Sequence, residues 1–169
     1  MSRVPSVVML LTAIVGSIAI VAQAESTLPQ KDLSPSEAAV RKIVEQHIAG
    51  IVGADAKQIE SAWDTQAGRI TFVSRGEDGQ EVVTSGPIGD AIKLWSQKKM
   101  TGTAGEILSV DIVNDKMALV KAKITWNRQV FDDYLVLLAT DGEWKLVSKT
   151  YTAKNARLSG GYGVSSADQ

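Results

Sequence analysis

The chain has no cysteine and a single histidine, His47. The missing cysteine excludes a disulfide framework and lipid attachment through an N-terminal cysteine. With one histidine beside it, a transition-metal site of the usual His/Cys kind is excluded too, so no metal is expected. Charge of one sign is also scarce: 18 Lys and Arg stand against 19 Asp and Glu. No basic stripe or aromatic-plus-arginine cluster is present, which removes the electrostatic footprint of nucleic-acid binding. Gly86-Pro87-Ile88-Gly89 has too few glycines and no Lys-Ser/Thr for a phosphate loop. A nucleophile elbow for Ser-His-Asp hydrolysis is missing as well. These residues imply no cofactor.

The chain does have one long apolar run. Val7 to Val21 is broken only by Thr12, Gly16 and Ser17, with Arg3 before it and Ala22-Gln23-Ala24 and polar Glu25 after it. Spanning a bilayer usually takes ~20 apolar residues, and this run is shorter. The pattern predicts a secretory signal peptide over residues 1–24, with an uncleaved N-terminal anchor as the alternative. The expected location is periplasmic or secreted, without a stable membrane anchor after cleavage. Removing Arg3 with the signal leaves a net charge of about −2. What remains fits one domain with one core. Residues 25–34 are polar with Pro29, and 156–169 are Gly/Ser-rich; both are expected to be loose, leaving a folded domain over 35–155.

Ser34-Pro35-Ser36-Glu37 reads as a helix start with Ser34 as N-cap and Glu37 closing a capping box. Val40, Val44, His47 and Ile51 then form one apolar stripe, flanked by Ile43 and Ile48. Asp55 caps a second short helix that turns Ile59, Ala62 and Trp63 inward. Strands are predicted over Ile70–Arg75 and Glu81–Ser85 around a turn at Glu77–Gln80. Ser85-Gly86-Pro87 starts a third helix with Ile88, Ala91, Ile92 and Trp95 on one face. Three long strands begin at about Glu106, Lys116 and Val130, with turns at Asn114-Asp115 and Asp141-Gly142.

A two-residue turn at Asp141-Gly142 pairs Thr140 with Glu143 and sets the register of the last hairpin. One face then carries Asp133, Leu135, Leu137 and Ala139 opposite Thr150, Ser148, Leu146 and Trp144. The other carries Tyr134, Val136 and Leu138 opposite Lys149, Val147 and Lys145. Both faces are substantially apolar, so the sheet is expected to be covered by its own helices on one side and by a second subunit on the other.

Phe131 to Tyr151, F-D-D-Y-L-V-L-L-A-T-D-G-E-W-K-L-V-S-K-T-Y, resembles the putative lumazine-binding branch of the nuclear transport factor 2-like superfamily, near the SnoaL-like proteins. The branch's Asp-Tyr, Asp-Gly-x-Trp-Lys and Lys-x-aromatic pattern carries the likeness. Val40 to Asp55 and Ile107 to Ala118 resemble its helix ending in Gly-x-Asp and its I-x-x-I-D-I strand. The resemblance implies an α+β fold in which a cone-shaped curved antiparallel sheet wraps around an N-terminal helix, the cystatin-like α+β roll. It also implies a common dimeric state. It brings no activity, because the superfamily holds isomerases, dehydratases, cyclases and many members without known chemistry.

His47 lies mid-stripe on the helix that, by the resemblance, lines the cone. It reads either as a hydrogen-bond donor or acid–base group, or as a neutral core histidine. Asp133 falls on the more apolar face of the last hairpin. There it is either a pocket acid, as in isomerases of the superfamily, or a residue paired with Lys149, Lys123 or a backbone amide. The isomerase general base has no counterpart in Trp63 to Thr71, where Asp64 comes too early. Trp63, Trp95 and Trp126 fit core packing, and in a cone they also fit an apolar or flat aromatic ligand. The leading expectation is therefore an exported, dimeric small-molecule-binding domain without established catalysis, with His47, Trp63, Trp95, Trp126 and Asp133 at the ligand. Two alternatives stand beside it: a proton-transfer isomerase or dehydratase using His47 and Asp133, and a protein-interaction module using the outer sheet face.

Overall fold

A computed structural model describes residues 33–75, 78–99, 102–126 and 129–154. The expected signal over 1–24, most of the loose segment 25–34 and the tail 156–169 lie outside the described residues.

Ser34 Oγ accepts from the Glu37 amide at 3.1 Å and Pro35 takes the first turn, opening α1 (Pro35–Gly53). The Glu37 carboxylate does not turn back to close a capping box. It accepts instead from Arg41, one turn on, at 2.8 and 3.0 Å, where the i,i+4 spacing offers a full charge. Val40, Val44, His47 and Ile51 are buried, as the stripe predicts. Asp55 caps α2 (Ala56–Ala62) by accepting from Gln58 at 3.1 Å. Gly50 lets the two helices meet: a Cβ there would lie 2.6 Å from Ile59 Cγ1.

β1 (Arg69–Arg75) pairs antiparallel with β2 (Glu81–Pro87), which passes directly into α3 (Ile88–Trp95). The N-cap of α3 is Pro87, without a side-chain hydrogen bond. Ser85 and Gly86, expected to open this helix, stay in the ladder opposite Thr71 and Ile70. The Ser85 hydroxyl is engaged there with Thr71 Oγ1 at 3.1 Å. Ile88, Ala91, Ile92 and Trp95 form the buried face, as expected.

β3 (Ala104–Val113), β4 (Met117–Trp126), β5 (Gln129–Thr140) and β6 (Glu143–Lys154) follow as a meander. Asn114 and Asp115, in the three-residue turn between Val113 and Met117, and Asp141 and Gly142, in the two-residue turn between Thr140 and Glu143, all take positive φ, the backbone that tight hairpin turns need. The six strands run in the order β2-β1-β6-β5-β4-β3. All neighbours are antiparallel except β1 and β6, which are parallel. The α1 helix contacts both β3 and β6, although β4 and β5 lie between them. A sheet touched in this way is curled around its helix. Bulges at Leu108 and Val147 add local bend and twist.

The second bulge corrects the predicted register. Ala139, Leu138 and Leu137 pair with Trp144, Lys145 and Leu146, as the turn dictates. Val147 is then passed over, so Val136 pairs with Ser148 and Asp133 with Tyr151, not Thr150. Every residue beyond the bulge changes face. Lys149 and Tyr151 turn inward and are buried, while Thr150 and Thr152 are exposed.

Candidate ligand site inside the curled sheet

The face change at Val147 builds the site. Lys149 is 4 % exposed and Asp133 0 %. Lys149 Nζ donates to Asp133 Oδ2 at 2.5 Å. The same ammonium lies 5.3 Å from the ring centre of Trp95 and 5.3 Å from that of Tyr151. It is therefore held by one carboxylate and two π faces. Burial pushes the Asp133 carboxyl above its ordinary range; the charge and hydrogen bond of Lys149 pull it back, and Asp132 adds a smaller upward push. Asp133 Oδ1 is buried with no hydrogen-bond partner among the described residues.

The chemistry of His47 is set by Trp63. The indole Nε1 lies 3.1 Å from His47 Nδ1. An indole N–H can only donate, so Nδ1 is the acceptor and the neutral ring carries its proton on Nε2. Burial, and then the charge of Lys149, hold the imidazole well below its usual pKa. Its Nε2–H has no acceptor among the described residues. With Nδ1 occupied and Nε2 already protonated, this histidine has no free lone pair with which to act as a base. It is poised to donate a hydrogen bond. Its ring also contacts Trp95, centre to centre at 5.7 Å.

Ile51, Ile124, Trp95, Trp126, Phe131, Tyr151 and Lys149 wall a cleft. Its empty space is about 290 Å³ including the open mouth, with only about 20 Å³ where a water-sized group fits. One water needs about 10–15 Å³ by that measure, so the depth of the cleft accepts one small polar group and no ring. At this cleft the described side chains nearly fill the space inside the sheet. A larger groove of about 600 Å³ runs between the flank of α1 and β3, lined by Arg41, Glu45, Ile48, Val52, Gly105 and Ile107 among others. None of its lining residues is a buried charged or titratable one.

Of the residues singled out from sequence, Trp95 and Trp126 line the cleft. His47 and Trp63 are buried and bonded to each other outside its lining, and Asp133 reaches it through Lys149. No hydrogen bond joins His47 and Asp133; Trp95 and Lys149 connect them. Lys149, Tyr151 and Phe131 were not among the expected site residues, although Lys149 was named as a partner for Asp133. An unbroken register leaves the bulk of Tyr151 on the outer face beside Lys149, and that misfit was the available signal. No group of three His, Asp or Glu side chains able to hold a metal occurs among the described residues. Nor does any described helix have the length and apolarity to cross a membrane.

Comparison with known proteins agrees with this architecture. An NTF2-like protein of unknown function from Shewanella baltica superposes with a TM-score of 0.61 at 21 % identity, covering 74 % of this chain and 100 % of its own. One from Silicibacter pomeroyi gives 0.57 at 24 %, covering 72 % and 100 %. Another, from Methylobacillus flagellatus, gives 0.62 at 18 %, covering 73 % and 96 %. Likeness at such identity speaks for the fold alone. No curated protein matches the sequence. The family model described as putative lumazine-binding matches residues 35–152. The match over most of the sequence places the chain in the putative lumazine-binding family, and the curled sheet with the helix inside it gives that family member the fold of NTF2-like proteins.

Proposed function

We propose that this protein is an exported, dimeric domain that binds a small apolar or aromatic molecule within its curled sheet, with no established catalysis. The observation that carries this reading is the buried Lys149–Asp133 pair under an aromatic-walled cleft. A sheet that only needed filling is filled more stably by apolar side chains, because a buried ion pair is often no better than a hydrophobic substitute. Trp126 and Phe131, at the adjoining ends of β4 and β5, supply aromatic faces to the cleft against which a flat ring can stack. Export rests on Arg3, the run Val7–Val21 and Ala22-Gln23-Ala24. Dimerisation rests on the half-exposed apolar residues of the outer sheet face.

The test is a thermal-shift and calorimetric screen of the protein against flavin-like and other apolar aromatic compounds. A binder at a hundred times its Kd is expected to stabilise the fold by about 2.7 kcal/mol. A panel that shifts nothing overturns the reading.

The isomerase or dehydratase alternative has less support. His47 carries its proton on the nitrogen that would have to accept one, and Asp133 is committed to Lys149. Proton transfer between either group and a substrate requires hydrogen-bond contact, and neither lines the cleft.

A further inference from the structure

The cleft carries a chemical preference as well as a shape. Among the described residues its walls are aliphatic and aromatic, and its one charged lining group is Lys149. An ammonium has three N–H donors and no acceptor. Asp133 Oδ2 takes one of the three, and the head group otherwise faces the rings of Trp95 and Tyr151. A π face is a weaker partner for an N–H than an oxygen lone pair, so Lys149 has donor capacity to spare at the cleft. The water-sized space of about 20 Å³ lies within this same lining. What fits that space is one oxygen atom, while any ring must lie outside it.

We propose that Lys149 is the specificity-determining residue of the cleft and that the ligand is a flat apolar molecule presenting an acceptor oxygen, carbonyl or carboxylate, to its Nζ. The proposal rests on the ligand-binding reading above and adds the polar half of the ligand. Asp133 positions the ammonium and does not touch the ligand. A cationic or purely hydrocarbon head is disfavoured: the first meets a like charge, and the second buries Lys149 donors without replacing what they bonded.

Calorimetric titration of the wild-type protein near pH 7.5 with naphthoate, acetylnaphthalene and naphthylmethylammonium tests it. Naphthoate and acetylnaphthalene are expected to bind at least tenfold more tightly than the ammonium compound. In the double variant Asp133→Leu/Lys149→Met, which removes both charges together, that preference is expected to fall below threefold while a cooperative thermal transition remains. Equal affinity of the wild type for all three overturns the proposal and leaves the ligand-binding reading standing. If none binds, both fall, and the space by Lys149 holds water. Should the double variant not fold, the wild-type ranking is read together with the Lys149 side-chain nitrogen resonance, assigned by comparison with Lys149→Arg. That resonance is expected to shift on adding naphthoate and not the ammonium compound. A resonance unmoved by bound naphthoate overturns the proposal.

Discussion

His47 is held neutral by its surroundings, and that ties the stability of the domain to pH. Its folded-state pKa lies well below 6.5, first because of burial and then because of Lys149. The unfolded chain takes up a proton as pH falls through about 6.5, while the folded chain does not, so protonation favours unfolding. The contribution of this residue is fully present above that pH and is lost as pH drops below it. Asp133 works in the opposite sense, since its raised pKa lets the folded state keep a proton that the unfolded state has released. Comparison with His47→Asn, which retains a short side-chain oxygen for the Trp63 indole, isolates the histidine. Between pH 6.5 and 5, the stability of the wild type relative to this variant is expected to fall with a slope approaching about 1.4 kcal/mol per pH unit. Urea unfolding at a series of pH values checks this, and parallel curves for the two proteins would refute it. The burial of His47 was readable from the α1 stripe. Its tautomer was not, because that depends on Trp63, sixteen residues away, at the end of a different helix.

At the scale of elements, the bulge in β6 decides which side chains reach the interior. Turn chemistry at Asp141-Gly142 was enough to pair Thr140 with Glu143 and to carry the register as far as Leu137 and Leu146. Beyond that point it failed, because this type of bulge requires no glycine and nothing in Val147-Ser148 marks the slip. Helix starts were legible where a side chain makes the cap, at Ser34 and Asp55. The start of α3 was misplaced because Pro87 caps it without a side-chain bond. Inserting one alanine between Ser148 and Lys149 would keep the bulge and shift the strand beyond it by one residue, turning Lys149 and Tyr151 outward and stranding Asp133. Removing one member of a buried pair costs about 3–5 kcal/mol, a large part of the ~5–15 kcal/mol that a domain has. The insertion is therefore expected to lower stability by at least that amount or to abolish cooperative unfolding, as followed by circular dichroism in urea. A variant within about 1 kcal/mol of the wild type would show that the register beyond the bulge is incidental.

At the scale of the whole molecule, the concave face of the sheet is satisfied by α1 and its own side chains, and no described element covers the convex face. Val113, Met117, Leu119, Tyr134 and Leu138 are 42–46 % exposed. Their registers make them neighbours across β3, β4 and β5: Val113 beside Met117, Met117 beside Leu138, and Leu119 beside Val136. The sequence indicated this face from Tyr134, Val136 and Leu138 alone, because those residues precede the bulge-induced slip and belong to the unbulged strand. Contiguous apolar surface of this kind is uncommon on a protein that works alone. A second copy is the occupant proposed here, since a two-fold arrangement lets one patch cover its own twin. Sedimentation velocity at micromolar concentration is expected to show a dimer, and the melting temperature is expected to fall on dilution, as it does wherever folding and association are linked. Leu119→Lys combined with Leu138→Lys places like charges on both sides of the two-fold contact. That variant is expected to sediment as a folded monomer and still bind whatever the wild-type cleft binds, because neither residue lines the cleft. A wild type that remains monomeric at high concentration would refute the dimer.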